Sequence, residues 1–458
     1  MIRFSPWSVI FPLLFSVSVY FISNIVNGIV RDPYMDEIFH IPQAQRFCNF
    51  DFTHDPKITT PPLIYIFSMI LRSCSVSNLR NINALFSIVN LIITFKISKL
   101  LHNKDALETW LTSLAIGFFP VSFFFNFLFY NETLSLTCIL LMYYMALKRH
   151  RIISATFGFL SIGFRQTNFI WVCFTAGVVV IDELRLIYTS TNSKSLQNLF
   201  NEAEFNPFRK ILSLIANTLI HFERLFCHLL PFILCSLCFV FLAIWNNGIA
   251  LGDKSNHQIS IHVPNVFYFA CFTLFFLSMY VETNYFRKPL AFKFTRGTFK
   301  HIASLSITLI AIHYCTIEHP FLLSDNRHYS FYVWRYFYRG HWILKYLYAP
   351  FYLLAFNLLK SCIRKFDQLS KLVQKIHSLW MIIYSLAVFF CLVTTPLLEF
   401  RYFIIPFIML RLHSNAKNKL YIVKELILGL VVNLFTFYMF LYRPFFNRNN
   451  ASVERFMW

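Results

Sequence analysis

Two adjacent acids in the segment Tyr34-Met-Asp-Glu-Ile-Phe-His offer the first chemistry in this chain. Asp36 or Glu37 suits the general base that takes a proton from a hydroxyl as it attacks an activated carbon. The like charge of the neighbour, with partial burial, is expected to raise the working carboxyl toward a useful pKa. Which acid is the base stays open, and an acidic pair solvated on a surface helix is the competing reading. Asp36, Glu37 and His40 also fall within one helical turn, a spacing metal ligands use, but nothing fixes further ligands, and neither metal nor cofactor is expected.

Basic residues mixed with aromatics recur in other polar segments. They are Arg165 and Gln166 in Phe-Arg-Gln-Thr-Asn, Lys254 and His257 in Leu-Gly-Asp-Lys-Ser-Asn-His, and Asp325, Arg327 and His328 in Asp-Asn-Arg-His-Tyr. Arg335 after Trp334 and Arg401 after Glu399 complete the set. Guanidinium groups fork onto phosphate oxygens, so these segments together could clamp a phosphate. Singly, each reads equally well as an interfacial anchor or an ion pair, such as Arg401 with Glu399. No dinucleotide fingerprint, P-loop, HExxH or nucleophile elbow is present.

The elements that must position these residues are membrane helices. Of 458 residues, 57% are hydrophobic, 19% aromatic and only 14% charged, a composition that calls for a bilayer rather than a water-soluble core. Apolar runs near 6–26, 82–101, 107–129, 226–246, 264–282, 378–396 and 425–442, with shorter ones near 61–77, 133–147, 152–164, 168–183, 302–317, 345–359 and 401–410, predict an all-α polytopic membrane protein. By length they make roughly a dozen crossings of a core about 30 Å thick. The first run reads as a retained helix and not a cleaved signal peptide.

The net charge of +20 is explained by topology. Basic clusters at Lys148, Arg149 and Arg151, at Arg287, Lys288, Lys293, Arg296 and Lys300, at Arg364, Lys365, Lys371 and Lys375, and at Lys417, Lys419 and Lys424 fall on alternate loops, which should face the cytosol. The segments 27–60, 165–168, 246–263, 317–344, 396–400 and those beyond 442 then share the other side. Four apolar runs separate 27–60 from the Lys148 cluster, where an odd number of crossings is required. The run at 61–77, broken by Arg72, is the candidate for a segment that does not cross. Asp32-Pro33 is expected to start a short amphipathic helix, with Met35, Ile38, Phe39 and Pro42 on one face, Asp36, Glu37, His40 and Gln43 on the other, and Pro42 ending or kinking it. The 11 cysteines lie mostly in apolar runs and read as buried thiols, including the CxxC pair Cys235 and Cys238. Asn131-Glu-Thr and Asn450-Ala-Ser are glycosylation sequons on the non-cytosolic side.

Several strings resemble a known family in order along the whole chain. They are Tyr34-Met-Asp-Glu-Ile-Phe-His-Ile-Pro-Gln-Ala-Gln, Asp55-Pro-Lys-Ile-Thr-Thr-Pro-Pro, Phe119-Pro-Val-Ser-Phe-Phe-Phe, Arg165-Gln-Thr-Asn, Leu251-Gly-Asp-Lys, Ser324-Asp-Asn-Arg-His-Tyr, Glu399-Phe-Arg-Tyr-Phe and Arg455-Phe-Met-Trp. The chain resembles the dolichyl-phosphate-glucose dependent alpha-1,2-glucosyltransferases of the endoplasmic reticulum.

The resemblance implies one membrane domain of the C-type glycosyltransferase (GT-C) fold, with 27–60 as its catalytic luminal loop and 317–344 as a second large luminal loop. It implies transfer of glucose from dolichyl phosphate glucose to a diglucosylated dolichyl-diphosphate oligosaccharide. A beta-linked donor giving an alpha product requires inversion in a single displacement with one base. Carried over residue by residue, Asp36 is the base, with Glu37 the alternative. Arg165, Lys254, Arg327 and Arg401 bind the donor phosphate with help from His328, and His40, Gln166 and Asp325 contact substrate. The chain departs from the family at His54, where Trp is usual, at Leu63, where Gly is usual, and at Glu132, where Asp is usual. A transporter, channel or channel-regulating partner is the competing class. A transporter would place its ionisable residues at mid-membrane on broken helices, whereas these acids lie in a large loop.

Overall fold

Backbone inside a bilayer must satisfy its own hydrogen bonds, and helices do so within a single segment. The computed structural model, which describes residues 5–72, 74–102, 104–191, 194–200, 206–254, 260–281, 296–365, 371–414, 418–446 and 453–458, is accordingly helical. His257, the sequon at Asn450 and the basic positions Arg287, Lys288, Lys293 and Lys417 lie outside those residues. The first nine helices are α1 (Trp7–Ile29), α2 (Glu37–Cys48), α3 (Leu63–Ile70), α4 (Val76–His102), α5 (Ala106–Gly117), α6 (Pro120–Phe125), α7 (Asn131–Leu147), α8 (Arg151–Phe164) and α9 (Phe169–Thr191). Among the described residues, α1, α4, Phe222–Trp245 and Lys419–Tyr442 are long and apolar enough to cross a membrane unaided. Shorter apolar helices include α8, Pro264–Phe276, Phe299–Cys315 and Ser378–Val393.

The apolar run at 107–129 is broken in two. Pro120 occupies the first turn of α6, where its missing N–H costs nothing, and the carbonyls freed around the breaks are capped by amide side chains. Asn433 donates to the Phe118 carbonyl at 2.7 Å, and the buried Asn83 donates to the Leu128 and Tyr130 carbonyls at 2.7 and 2.8 Å. Asn83 thereby fixes the turn that leads into α7 beside the acidic loop.

The run at 61–77 yields only the eight-residue α3, which ends at Ile70, two residues before Arg72 with φ +50°. At 1.5 Å per residue it is about 12 Å long, too short to cross. Of the helices between Val76 and Leu147, α4 is long and apolar enough to cross. Leu63 starts α3 and fills the space that Gly163 of α8 leaves open, where a Cβ would lie 2.9 Å from Leu63 Cδ2. This local complementarity accommodates leucine where the family usually has glycine.

α2 differs from expectation in three respects. It begins at Glu37 with Asp36 in the capping position, four residues later than Asp32-Pro33 suggests. Pro42 neither ends nor breaks it, because the helix loses a single hydrogen bond and the proline ring lies on the exposed side. Its apolar Ile38 and Phe39 face outward, whereas Glu37 and Gln43 are buried and Met35 turns inward from a left-handed backbone at φ +56°. The polar face is turned into the protein because it has partners there: Gln43 donates to the Thr53 carbonyl at 2.7 Å and accepts from the Asp55 N–H at 3.0 Å. Ile41, Ala44 and Phe47 pack against Ile64 and Tyr65 of α3.

Cys48 and Cys74 form a disulfide tying the end of α2 to the start of α4, a pairing the scattered cysteine pattern did not reveal. The CxxC cysteines remain free, Cys235 buried and Cys238 exposed. Asn131 is 3% exposed and donates to Thr60 at 3.0 Å, so its sequon is inaccessible in the folded protein. Maleimide labelling of the unfolded, unreduced protein should leave Cys48 and Cys74 unmodified, and prior reduction should make both reactive in peptide mapping.

Candidate active site

The acidic loop is organised around one buried cation. Arg80 of α4, 1% exposed, meets Glu37, 0% exposed, through Nε–Oε1 at 2.9 Å and Nη2–Oε2 at 2.6 Å. The remaining guanidinium hydrogens reach the Val30 carbonyl at 2.5 Å, the Asp32 carbonyl at 3.0 Å and the Asn27 side chain at 3.4 Å. Glu37 also accepts from the Tyr34 N–H at 3.0 Å and the Phe129 N–H at 2.6 Å. Every lone pair of Glu37 is engaged, so it presents nothing to a substrate.

This winding of residues 27–37 around Arg80 turns Asp36 outward. Its backbone N–H donates to the Tyr130 hydroxyl at 3.2 Å, and its carboxylate lies 2.6 Å from Arg401 Nη1. Arg401 also pairs with Glu399, lies 3.9 Å from Glu132, and rests over the rings of Tyr130 and Tyr402. Burial alone would push the Asp36 carboxyl up, but the Arg401 charge, His40 and the ion-pair hydrogen bond outweigh it and hold it below the usual carboxylate range. The raised value expected from the acidic pair is not realised, because Arg80 neutralises Glu37. Burial lowers the His40 imidazole against the pull of Asp36 and Glu132, and its Nδ1 lies 2.5 Å from the Tyr65 hydroxyl.

Asp36 opens on a cavity of about 500 Å³, whose lining includes His40, Asp325, His328 and Arg401. The structure thus brings together five of the residues singled out by the sequence. The other described ones do not line it. Arg165 pairs with Glu132 at 2.6 Å and lies over the Tyr402 ring, and the Gln166 amide donates to the Thr59 carbonyl. Lys254 donates to the Asn246 carbonyl at 2.5 Å. Arg327 is forked onto Asp325 at 2.8 Å and reaches Glu454 at 3.2 Å. Its hydrogen bonds and charge offset the burial that would raise Asp325 and hold that carboxyl below its ordinary range. Arg335 rests near the Phe331 and Tyr336 rings.

A last segment, 453–458, ties the acidic loop to the Asp325–His328 loop. Tyr34 exchanges hydrogen bonds with Arg455 at 2.6 and 2.7 Å, Met457 pairs with the backbone of Arg327 and Tyr329, and His328 Nδ1 lies 2.8 Å from the Trp458 carbonyl oxygen. Arg80 and Glu132, which do much of this positioning, were not singled out for it. Arg80 could have been noticed as a charge just ahead of an apolar run.

Removing one partner of so buried a pair leaves an uncompensated charge. Arg80→Ala should cost about 3–5 kcal/mol, read as a lowered thermal unfolding midpoint in detergent.

The sequence pattern of the DIE2/ALG10 family matches residues 30–412. A human protein named Dol-P-Glc:Glc(2)Man(9)GlcNAc(2)-PP-Dol alpha-1,2-glucosyltransferase is 35% identical, with 94% of each chain covered. Proteins of the same name from Arabidopsis thaliana and Drosophila melanogaster are each 32% identical, covering 95% and 99% of this chain and 97% and 99% of their own. No solved structure matches. The match across most of its length, including the loop that presents Asp36 and the segment of Arg401, makes this chain a member of the DIE2/ALG10 family.

Proposed function

We propose that this protein transfers glucose from dolichyl phosphate glucose to the diglucosylated dolichyl-diphosphate oligosaccharide, forming the terminal alpha-1,2 linkage. The observation that carries this reading is end-to-end similarity to relatives of that name, joined to a carboxylate that opens on a cavity beside a guanidinium. The same names favour an enzyme over a transporter or a channel-regulating partner. A GT-C fold with roughly a dozen crossings in the endoplasmic reticulum membrane fits the recurrence of apolar helices. The Cys48–Cys74 disulfide supports a luminal active site, since such bonds persist in oxidising compartments.

In this reading Asp36 is the general base. The acceptor 2-hydroxyl oxygen bonds to the anomeric carbon of glucose as the bond from that carbon to the phosphate oxygen breaks. The hydroxyl proton passes to Asp36, and dolichyl phosphate leaves with the electron pair, its low basicity requiring no strong acid. Inversion follows from the single displacement. Arg401 and His328 hold the donor phosphate, and Asp325 and His40 contact sugar. Arg165, Gln166, Lys254 and Arg327 support the site from outside the cavity lining, since each already donates to a protein group. Glu37 is a positioning residue. As the phosphate takes Arg401, the carboxylate that Arg401 had paired becomes available as base.

Glucose transfer with purified donor and acceptor tests this reading. Asp36→Asn should fold and bind donor but lose transfer by about 10²–10⁴-fold, the usual contribution of a general base; full activity in that variant removes Asp36 from the mechanism. Arg401 holds Asp36 ionised below its ordinary range, so wild-type transfer should persist as pH falls through the usual carboxylate range. Residual transfer by Arg401→Gln should fail at higher pH than in the wild type.

A further inference from the structure

The cavity has two walls of different chemistry. One combines Arg401 and His328, beside Asp325 and Glu399, with the apolar residues Phe321, Leu322 and Leu397. The other is formed by Phe39, His40, Lys57, Thr59 and Asp253. Asp36 stands where they meet, paired to Arg401 of the first wall and one helical turn before His40 of the second.

The second wall is assembled from remote segments. The Leu251 N–H donates to the Thr59 carbonyl at 3.1 Å, the Asp253 N–H donates to the Pro56 carbonyl at 3.0 Å, and the Gln166 amide also reaches the Thr59 carbonyl. Gly252 lies at the centre of this seam. A Cβ there would sit 2.3 Å from the Pro56 oxygen and 2.5 Å from the Ile58 oxygen, so the two loops meet this closely only around glycine. Asp253 follows with φ +37°, a left-handed backbone that the seam holds in place. Lys57 carries its ammonium 5.7 Å from the Phe39 ring centroid, and Phe39 keeps 39% of its surface exposed.

A lipid phosphate bearing one sugar suits the first wall, with the Arg401 guanidinium and the His328 ring for its phosphate and an apolar surface for the start of its chain. A long, uncharged, hydroxyl-rich glycan needs something else: hydrogen-bonding side chains of both polarities without large net charge, and the flat face of a ring for the apolar side of a sugar. We propose that Phe39, Lys57, Thr59 and Asp253 form the acceptor subsite, which binds the terminal sugars of the glycan and aims one hydroxyl at Asp36. Gly252 sets its shape. This assignment rests on the glucosyl-transfer reading above and divides that site between its two substrates.

Initial rates of wild-type protein, Lys57→Ala, Asp253→Asn and His328→Ala, measured against dolichyl phosphate glucose and the diglucosylated lipid-linked oligosaccharide, test it. Lys57→Ala and Asp253→Asn should each raise the acceptor KM about tenfold or more, the loss of a hydrogen bond to a charged group, with donor KM unchanged. His328→Ala should raise the donor KM instead. Lys57 is exposed, so its truncation leaves the fold intact. Gly252→Ala should also raise the acceptor KM by displacing the seam. A raised donor KM in the Lys57 or Asp253 variant, or no change in either constant, overturns the subsite while leaving the transferase reading standing. Wild-type protein that transfers no glucose overturns both.

Discussion

The buried Arg80–Glu37 pair is the constraint around which this site is arranged. Two charges withdrawn from water are stabilised only when geometry and supporting hydrogen bonds offset the desolvation cost. Here the guanidinium uses all its donors, two on Glu37 and three on the chain between Asn27 and Asp32. Glu37 in turn draws in the amides of Tyr34 and Phe129. Satisfying one charge therefore dictates the path of a whole loop. The left-handed Met35 and the late start of α2 are its local consequences, and they separate two adjacent acids so that one is sequestered and the other faces the cavity.

Asp36 depends equally on a residue 365 positions away, for Arg401 reaches it from a short turn held by Glu399, Tyr130 and Tyr402. Both tyrosines carry the cation on their ring faces, which an uncharged neighbour could not exploit. Of the four basic residues expected to meet phosphate, Arg401 alone lines the cavity. Arg165 and Arg327 act through the carboxylates they hold, Glu132 and Asp325. The site is built as paired charges that a bound anion can redistribute.

Much of the architecture was legible in the sequence. Apolar runs located the helices, and the charge pattern demanded a segment that does not cross, for which the eight-residue α3 is short enough. The acidic loop, Arg401 and the Asp325–His328 segment were recognisable because polar residues grouped beside apolar runs have few structural reasons to exist. What escaped the sequence was pairing across distance. Helical periodicity placed Glu37 beside Asp36 on an outward face, yet its partner Arg80 lies in another helix and reverses that face. Residue type does not reveal that Lys254 donates to the Asn246 carbonyl or that Arg327 is forked onto Asp325. The Cys48–Cys74 bond was hidden likewise, since nothing in the sequence across a separation of 26 brings its ends together.

The bond pair between Tyr34 and Arg455 spans 421 residues. At 5–20 residues per second, ribosomal synthesis separates the two by roughly 20–80 s. During that interval the acidic loop is already made, with Arg80 available to Glu37, while the strand of backbone that binds Tyr34, Arg327 and His328 does not yet exist. The nascent protein therefore passes through a state in which the acidic loop exists but the residues that complete the cavity beside it do not. Biosynthesis itself delays the assembly of a competent centre until helix insertion is all but complete.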